Sequence, residues 1–66
     1  MSVVKVIEIT SSSPTSFAEA VKAGIAKASE TIHGIKGAWV SEELVVVENN
    51  EVTEFRVTMR VSFVLD

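Results

Sequence analysis

From Phe55 to Leu65 every odd-numbered residue is apolar: Phe55, Val57, Met59, Val61, Phe63 and Leu65. Arg56, Thr58, Arg60 and Ser62 stand between them, with Val64 the one apolar exception. A period of two held this long belongs to a strand buried on one face, and it predicts a long strand from Glu51 to Asp66. Each buried Val, Met or Phe side chain stabilises by roughly 1.5–3 kcal/mol, so this single face supplies most of the apolar driving force open to a small domain. Any chemistry on this strand must then use its other face, that of Arg56, Thr58, Arg60 and Ser62.

The 66 residues make one domain, 1–66. A chain this short buries only about 60% of the surface its unfolded form exposes. The composition is 47% hydrophobic with no cysteine, so apolar surface is in excess and no disulfide is available to staple it. Self-assembly is the remaining way to cover the surplus. A net charge of −3, with six Lys and Arg spread singly, argues against a nucleic-acid partner. No run approaches the ~18 apolar residues of a membrane span, no leader-like segment opens the chain, and the lack of cysteine fits a reducing compartment. The expectation is a soluble, cytoplasmic protein without a membrane partner.

Val3 to Ile9 is rich in β-branched residues and reads as a first strand. It is apolar on both faces, which predicts cover on both. Thr10 to Thr15 (TSSSPT) reads as the connection, with Pro14 ending the strand. Ser16-Phe17-Ala18-Glu19 has the S-x-x-E form of a capping box, and Ser13 before Pro14 is a rival cap. Phe17, Val21, Ile25, Ala28 and Ile32 form one apolar helical stripe, ending at His33 beside the helix dipole and at Gly34 as the left-handed C-cap. Ala18, Ala20, Ala23, Gly24 and Ala26 are small enough for backbone to approach, from the sheet or from another subunit. Ala38 to Glu48 is a second strand, joined to the third by Asn49-Asn50, both tolerant of positive φ.

A two-residue turn at Asn49-Asn50 pairs residues whose numbers sum to about 99 across the hairpin. Leu44 then faces Phe55, Val40 faces Met59 and Ala38 faces Val61 on the core side. Trp39 with Arg60, Glu43 with Arg56, Ser41 with Thr58 and Val45 with Glu54 share the other side. The fold class is α+β: β-α-β-β, one helix against a three-stranded antiparallel sheet.

The opening V-x-K-V-I-E-I, the S-x-x-S-F-x-E-A helix start, the T-I-x-G-I that follows it and the final V-T-E-F-R-V-T-M-R-V-S-F-V-L together resemble the dodecin family over the whole chain. The resemblance implies a sheet partly wrapped around its helix and twelve subunits assembled into a hollow homododecamer. It also implies flavin, riboflavin or FMN, held in pairs at subunit contacts between a tryptophan of the second strand and a glutamine of the third. With Phe55 as anchor and no gaps, Arg56 stands at the glutamine position and Gly37 at the tryptophan position, with Trp39 two residues on and on the same face. An Arg donates to a flavin carbonyl but cannot accept from a ring N–H, whereas a Gln amide does both. The implied function is therefore flavin sequestration with a weakened clamp, built from Trp39, Arg56, Gly37, Val45 and Arg60. The alternative is a flavin-free assembly that holds another ligand or a cation such as calcium, or that is purely structural.

Plainer readings stand beside each of these. Trp39 facing Arg60 makes a cation–π pair at an interface, and Arg56 facing Glu43 makes a cross-strand ion pair, both without a ligand. Glu48 and Glu51 around Asn49-Asn50 are oxygen-rich but lack the spacing of a recognised calcium loop, so no metal ligands are assigned. One His at a helix end, with no nucleophile, base and orienting group in sequence, gives no catalytic residues and predicts a protein that is not an enzyme.

Overall fold

The computed structural model describes residues 3–65, which form β1 (Val3–Ser13), α1 (Phe17–Ala28), β2 (Ile35–Glu48) and β3 (Glu51–Leu65). Asp66, assigned from sequence to the end of the third strand, lies outside the described residues. The sheet is antiparallel in the order β1-β3-β2. The strand with the cleanest alternation is thus the central one, hydrogen-bonded on both edges. Val57, Met59 and Val61 are fully buried and form the core with Ala20 of α1, while Ile7, Ile9, Phe17, Val21, Ile25 and Ile35 pack around them. Phe17 meets Phe55 edge to face, ring centroids 5.2 Å apart.

β1 runs four residues beyond the expected Ile9. Thr10 to Ser13 continue the ladder opposite Thr58 to Phe55, because each hydroxyl finds a partner that makes a polar strand end tolerable. Thr10 Oγ1 bonds Thr58 Oγ1 at 3.1 Å, Ser11 Oγ donates to the Ala20 carbonyl, and Ser13 Oγ accepts from the Thr15 N–H at 3.0 Å. That last bond occupies Ser13 in the turn and leaves Ser16 as the N-cap, its oxygen accepting from the Glu19 N–H at 3.0 Å. Only this half of the box forms among the described residues; the Glu19 carboxylate lies 3.9 Å from Lys22 Nζ instead. The N-cap hydroxyl alone satisfies one orphan donor, which is the main benefit of such a cap.

The helix ends earlier than the apolar stripe does. Ser29 Oγ bonds the Ile25 carbonyl at 2.7 Å, and the next amides turn back to carbonyls three residues behind, Glu30 to Lys27 and Thr31 to Ala28, both at 3.2 Å. A serine hydroxyl competing for a helix carbonyl and a tightened last turn are ordinary ways to stop a helix. His33 therefore lies beyond the last turn and is exposed, and is not the dipole partner expected of it. Gly34 does take φ of +77°, but at the entry to β2, where its carbonyl accepts from the Val64 N–H at 3.2 Å. β2 accordingly starts at Ile35, three residues ahead of the expected Ala38.

Small residues on α1 serve the sheet. Ala20 and Gly24 are buried, and a Cβ at Gly24 would fall 2.6 Å from Ser11 Oγ and 2.7 Å from Met59 Cε. The helix lies over β1 and β3 and leaves β2 uncovered. Twelve helical residues span about 18 Å at 1.5 Å each, whereas a strand of fourteen spans about 46 Å, so the hairpin projects past the helix. The molecule measures 51 × 20 × 14 Å for this reason. No β2 residue is buried, and Leu44, Val45, Val47 and, on β3, Val52 are exposed along the projecting end. On β1, Val4 and Val6 also face solvent, so the cover expected on both faces is not supplied within one chain.

Met59→Ala should lower stability to urea by about 2–5 kcal/mol, the usual range for emptying a packed core site. In the dissociated subunit Val47→Ala, at a position 55% exposed there, should change it by no more than about 0.5 kcal/mol. In the assembled protein, a loss at Val47 as large as that at Met59 would show that another subunit covers it.

Candidate functional site

The Asn49-Asn50 turn forms as expected, with φ of +52° and +63°. Glu48 faces Glu51 and Val47 faces Val52, as the turn dictates. Two irregularities then interrupt the ladder between the turn and Trp39, and a third lies at the start of β2, where Lys36 is extra between Ile35 and Gly37. Thr53 is extra on β3, so Val46 faces Glu54, Val45 faces Phe55, Leu44 faces Arg56 and Glu43 faces Val57. Ser41 is extra on β2 and cancels the offset, so Val40 returns opposite Met59, Trp39 opposite Arg60 and Ala38 opposite Val61. Thr53 Oγ1 bonds the Val46 carbonyl at 3.3 Å and Ser41 Oγ bonds the Thr58 carbonyl at 3.1 Å, so both extra residues find side-chain partners where the ladder is broken.

The pairs expected between the two bulges are therefore corrected. Glu43 lies on the helix side opposite Val57 and not beside Arg56; Val45 lies on the helix side opposite Phe55 and not beside Glu54; Leu44 lies outward opposite Arg56. Pairs closer to the start of β2 hold, because one bulge offsets the other. The face turned away from the helix carries Gly37, Trp39, Arg56 and Arg60 among the residues singled out from sequence, and Val45 is on the opposite face.

On that outer face Trp39 is 59% exposed and lines a concavity of about 480 Å³ with Val6, Ser41 and Arg60. One aromatic plate, one valine, one hydroxyl and one guanidinium converge there from three strands. Among the described residues no carboxylate lies within 4 Å of Arg60. Glu8 is its Cα partner on β1, but the two make no ion pair. A slightly larger hollow, about 540 Å³, lies between β1 and the C-terminal half of α1. It contains no aromatic ring, and its two charged residues, Lys27 and Glu30, are bound to each other at 3.4 Å. The Trp39 concavity is the better ligand site on chemical grounds.

Arg56 is occupied. Its Nη2 and Nε lie 3.0 and 3.3 Å from one oxygen of Glu54, two residues back on the same face. The Arg56 guanidinium, with Ser12 adding a smaller effect, holds the Glu54 carboxyl below the ordinary glutamate range. Gly37 sits opposite Ser62, whose hydroxyl donates to the Gly37 carbonyl at 3.2 Å. A Cβ at Gly37 would meet Ser62 Oγ at 3.7 Å, an ordinary contact, so the backbone does not require glycine here.

Val6 escaped sequence reasoning as a lining residue, whereas Ser41 was expected on the Trp39 face. Its expected pairing is corrected, since Ser41 is the bulged residue and Glu42 stands opposite Thr58, with Ser41 reaching the Thr58 carbonyl only through its side chain. Val6 reaches the site through β1–β3 pairing, whose register is set across an intervening helix and not by a short turn. The one available signal for Val6 was a β1 with too many apolar residues for one buried face.

Because its native pKa is depressed, the stability contributed by Glu54 is complete above the unfolded-state pKa and is lost as pH falls through the native value. Carboxyl NMR should show Glu54 titrating below the ordinary glutamate value. Its pKa should move back up toward the ordinary range in Arg56→Gln; an unmoved value would mean that Arg56 is not the cause.

The dodecin family model matches residues 3–66. A dodecin from Streptomyces davaonensis is 31% identical in sequence and superposes with a TM-score of 0.94, covering 98% of this chain and 96% of that one. A point mutant of the T. thermophilus dodecin is 26% identical, with a TM-score of 0.95 and coverage of 100% and 98%. A calcium-chelating immunodominant antigen of Mycobacterium tuberculosis, a calcium dodecin with a novel calcium-binding site, is 31% identical, with a TM-score of 0.85 and coverage of 97% and 91%. No curated protein sequence matches the chain.

Proposed function

The chain belongs to the dodecin family, and from that premise we propose that twelve copies assemble into a cytoplasmic particle that sequesters flavin, riboflavin or FMN, at subunit contacts on the Trp39 face. The observation that carries this reading is the exposed indole of Trp39 over an open concavity, on the sheet face that the helix does not cover. A large aromatic left on a surface beside Val6 is expected to be covered by a planar ligand, a second subunit or both. Trp39 is the stacking plate, Arg60 and Gly37 flank it, and Arg56 lies further along the same face. Val45 enters such a site only from a neighbouring subunit, since it points the other way.

The residues fit a flavin in part. An isoalloxazine offers a flat ring for Trp39 and carbonyl oxygens for guanidinium N–H donors, but its ring N–H needs an acceptor that an arginine lacks. Arg56 is moreover engaged by Glu54, so its hydrogen bond to a ligand competes with an existing charged one. The clamp is therefore a weak one, dominated by stacking. Trp39 stacks and the guanidinium groups donate, and the role we draw from this is storage without catalysis, with no nucleic-acid or membrane partner.

Likeness to the calcium dodecin favours a second reading, a cation-binding assembly. Among the described residues no three His, Cys, Asp or Glu side chains gather in one subunit.

Light scattering should give a particle of twelve times the 7.1 kDa subunit mass. Riboflavin and FMN should quench the fluorescence of Trp39, the only tryptophan. Arg56→Gln should tighten riboflavin binding by roughly one to two decades, the worth of one well-made hydrogen bond to a desolvated edge. A monomer with unquenched Trp39 would remove both the assembly and the flavin; calcium-dependent assembly without quenching would favour the second reading.

A further inference from the structure

The charge of the Trp39 concavity is one-sided, although the Ser41 oxygen remains an acceptor. Trp39 Nε1–H only donates, and the Arg60 guanidinium only donates, with five N–H groups and a full positive charge. The hydroxyl hydrogen of Ser41 is directed at the Thr58 carbonyl 3.1 Å away. Val6 contributes no polar group. Arg60 is also the concavity's single ionisable residue, and among the described residues no carboxylate within 4 Å neutralises it. Arg56, the other cation on this face, is by contrast tied to Glu54 at 3.0 Å. In a chain of net charge −3, this one spot is arranged for a negative group.

Position narrows the ligand further. Trp39 and Arg60 are direct cross-strand partners, and the Cβ atoms of such a pair are about 4.5–5.5 Å apart. A ring stacked on the indole therefore has the guanidinium at its edge. We propose that the Trp39–Arg60 concavity selects planar aromatic ligands that carry an anionic group directly on the ring, such as an aromatic carboxylate, with the indole stacking on the ring and the guanidinium pairing with the anion. This deepens the reading of the Trp39 face as a ligand site and rests on it, but it does not require the ligand to be a flavin. Arg60 is the specificity residue, since stacking alone does not distinguish a charged ring from its neutral isostere. Glu8, the partner of Arg60 on β1, acts against the selection by lowering the local potential.

The test uses a matched pair, 2-naphthoate and 2-naphthamide, titrated into the assembled protein with Trp39 fluorescence as the readout and riboflavin as a separate probe. The two ligands share ring and shape and differ in charge. Naphthoate should bind roughly tenfold more tightly than the amide, the scale of a hydrogen bond to a charged group, and the preference should shrink with added salt. Arg60→Gln should abolish the preference by bringing naphthoate affinity down to that of the amide, Arg60→Lys should retain part of it, and Glu8→Gln should enlarge it. Equal binding of the two ligands to the unaltered protein, or a preference that survives in Arg60→Gln, overturns the proposal. Riboflavin quenching with equal naphthoate and naphthamide binding removes the selectivity and leaves the flavin reading standing. Naphthoate preference without riboflavin quenching does the reverse, and no quenching by any of the three sinks both.

Discussion

Burial of one face of β3 is the constraint on which the rest of the subunit depends. Val57, Met59 and Val61 have no exposed surface, and no other strand contributes a fully buried hydrophobic residue. To bury that face the helix must lie close against it, which is why α1 presents Ala20 and Gly24 there and why Ser11 and Met59 fill the space a Gly24 Cβ would occupy. To be buried by backbone as well, β3 must be central, with both edges paired. The core, the strand order and the tight helix–sheet contact are thus one solution to one problem: a chain of 66 residues has apolar atoms to cover and few layers with which to cover them.

That solution is incomplete inside a single chain, and the incompleteness is informative. A helix rises about 1.5 Å per residue and a strand about 3.3 Å, so a helix of this length cannot roof strands of fourteen and fifteen residues. The hairpin end is left with Val45, Val47 and Val52 uncovered, and the outer face with Val4, Val6 and Trp39. Exposed apolar surface in such quantity marks contact sites. The family to which the chain belongs and the geometry of its arms point the same way: the unit of function is larger than the subunit.

Two arginines on one face have opposite situations, and the difference is local. Arg56 has Glu54 two residues away on the same side of the strand, where alternation places i and i+2 together, so its charge is already answered. Arg60 has Thr58 and Ser62 at the equivalent positions and faces Trp39 across the ladder. Sequence spacing decides which of the two is free to meet an anion. It also explains the lowered pKa of Glu54, whose carboxylate accepts from Arg56.

The amino-acid sequence by itself determined what short-range rules govern. Alternation identified β3 and its buried face, Ser16 marked the helix start, and Asn49-Asn50 made the turn; the pairing of Trp39 with Arg60 that the turn implies survives because two bulges offset each other. Each rests on a period or a cap that a few neighbouring residues enforce. Tertiary structure decided what depends on pairing across long stretches of chain. The serines after Ile9 became strand because Thr58 to Phe55 were there to pair with them, and Ser29 stopped the helix before its apolar stripe ran out. Bulges at Thr53 and Ser41, which no local signal announces, turned Glu43 and Val45 to the helix side. Val6 joined the site only once β1 was laid against β3. Register is a property of two strands together, and a shift of one residue exchanges the faces of a strand, so the lining of the site could be settled only in the folded sheet.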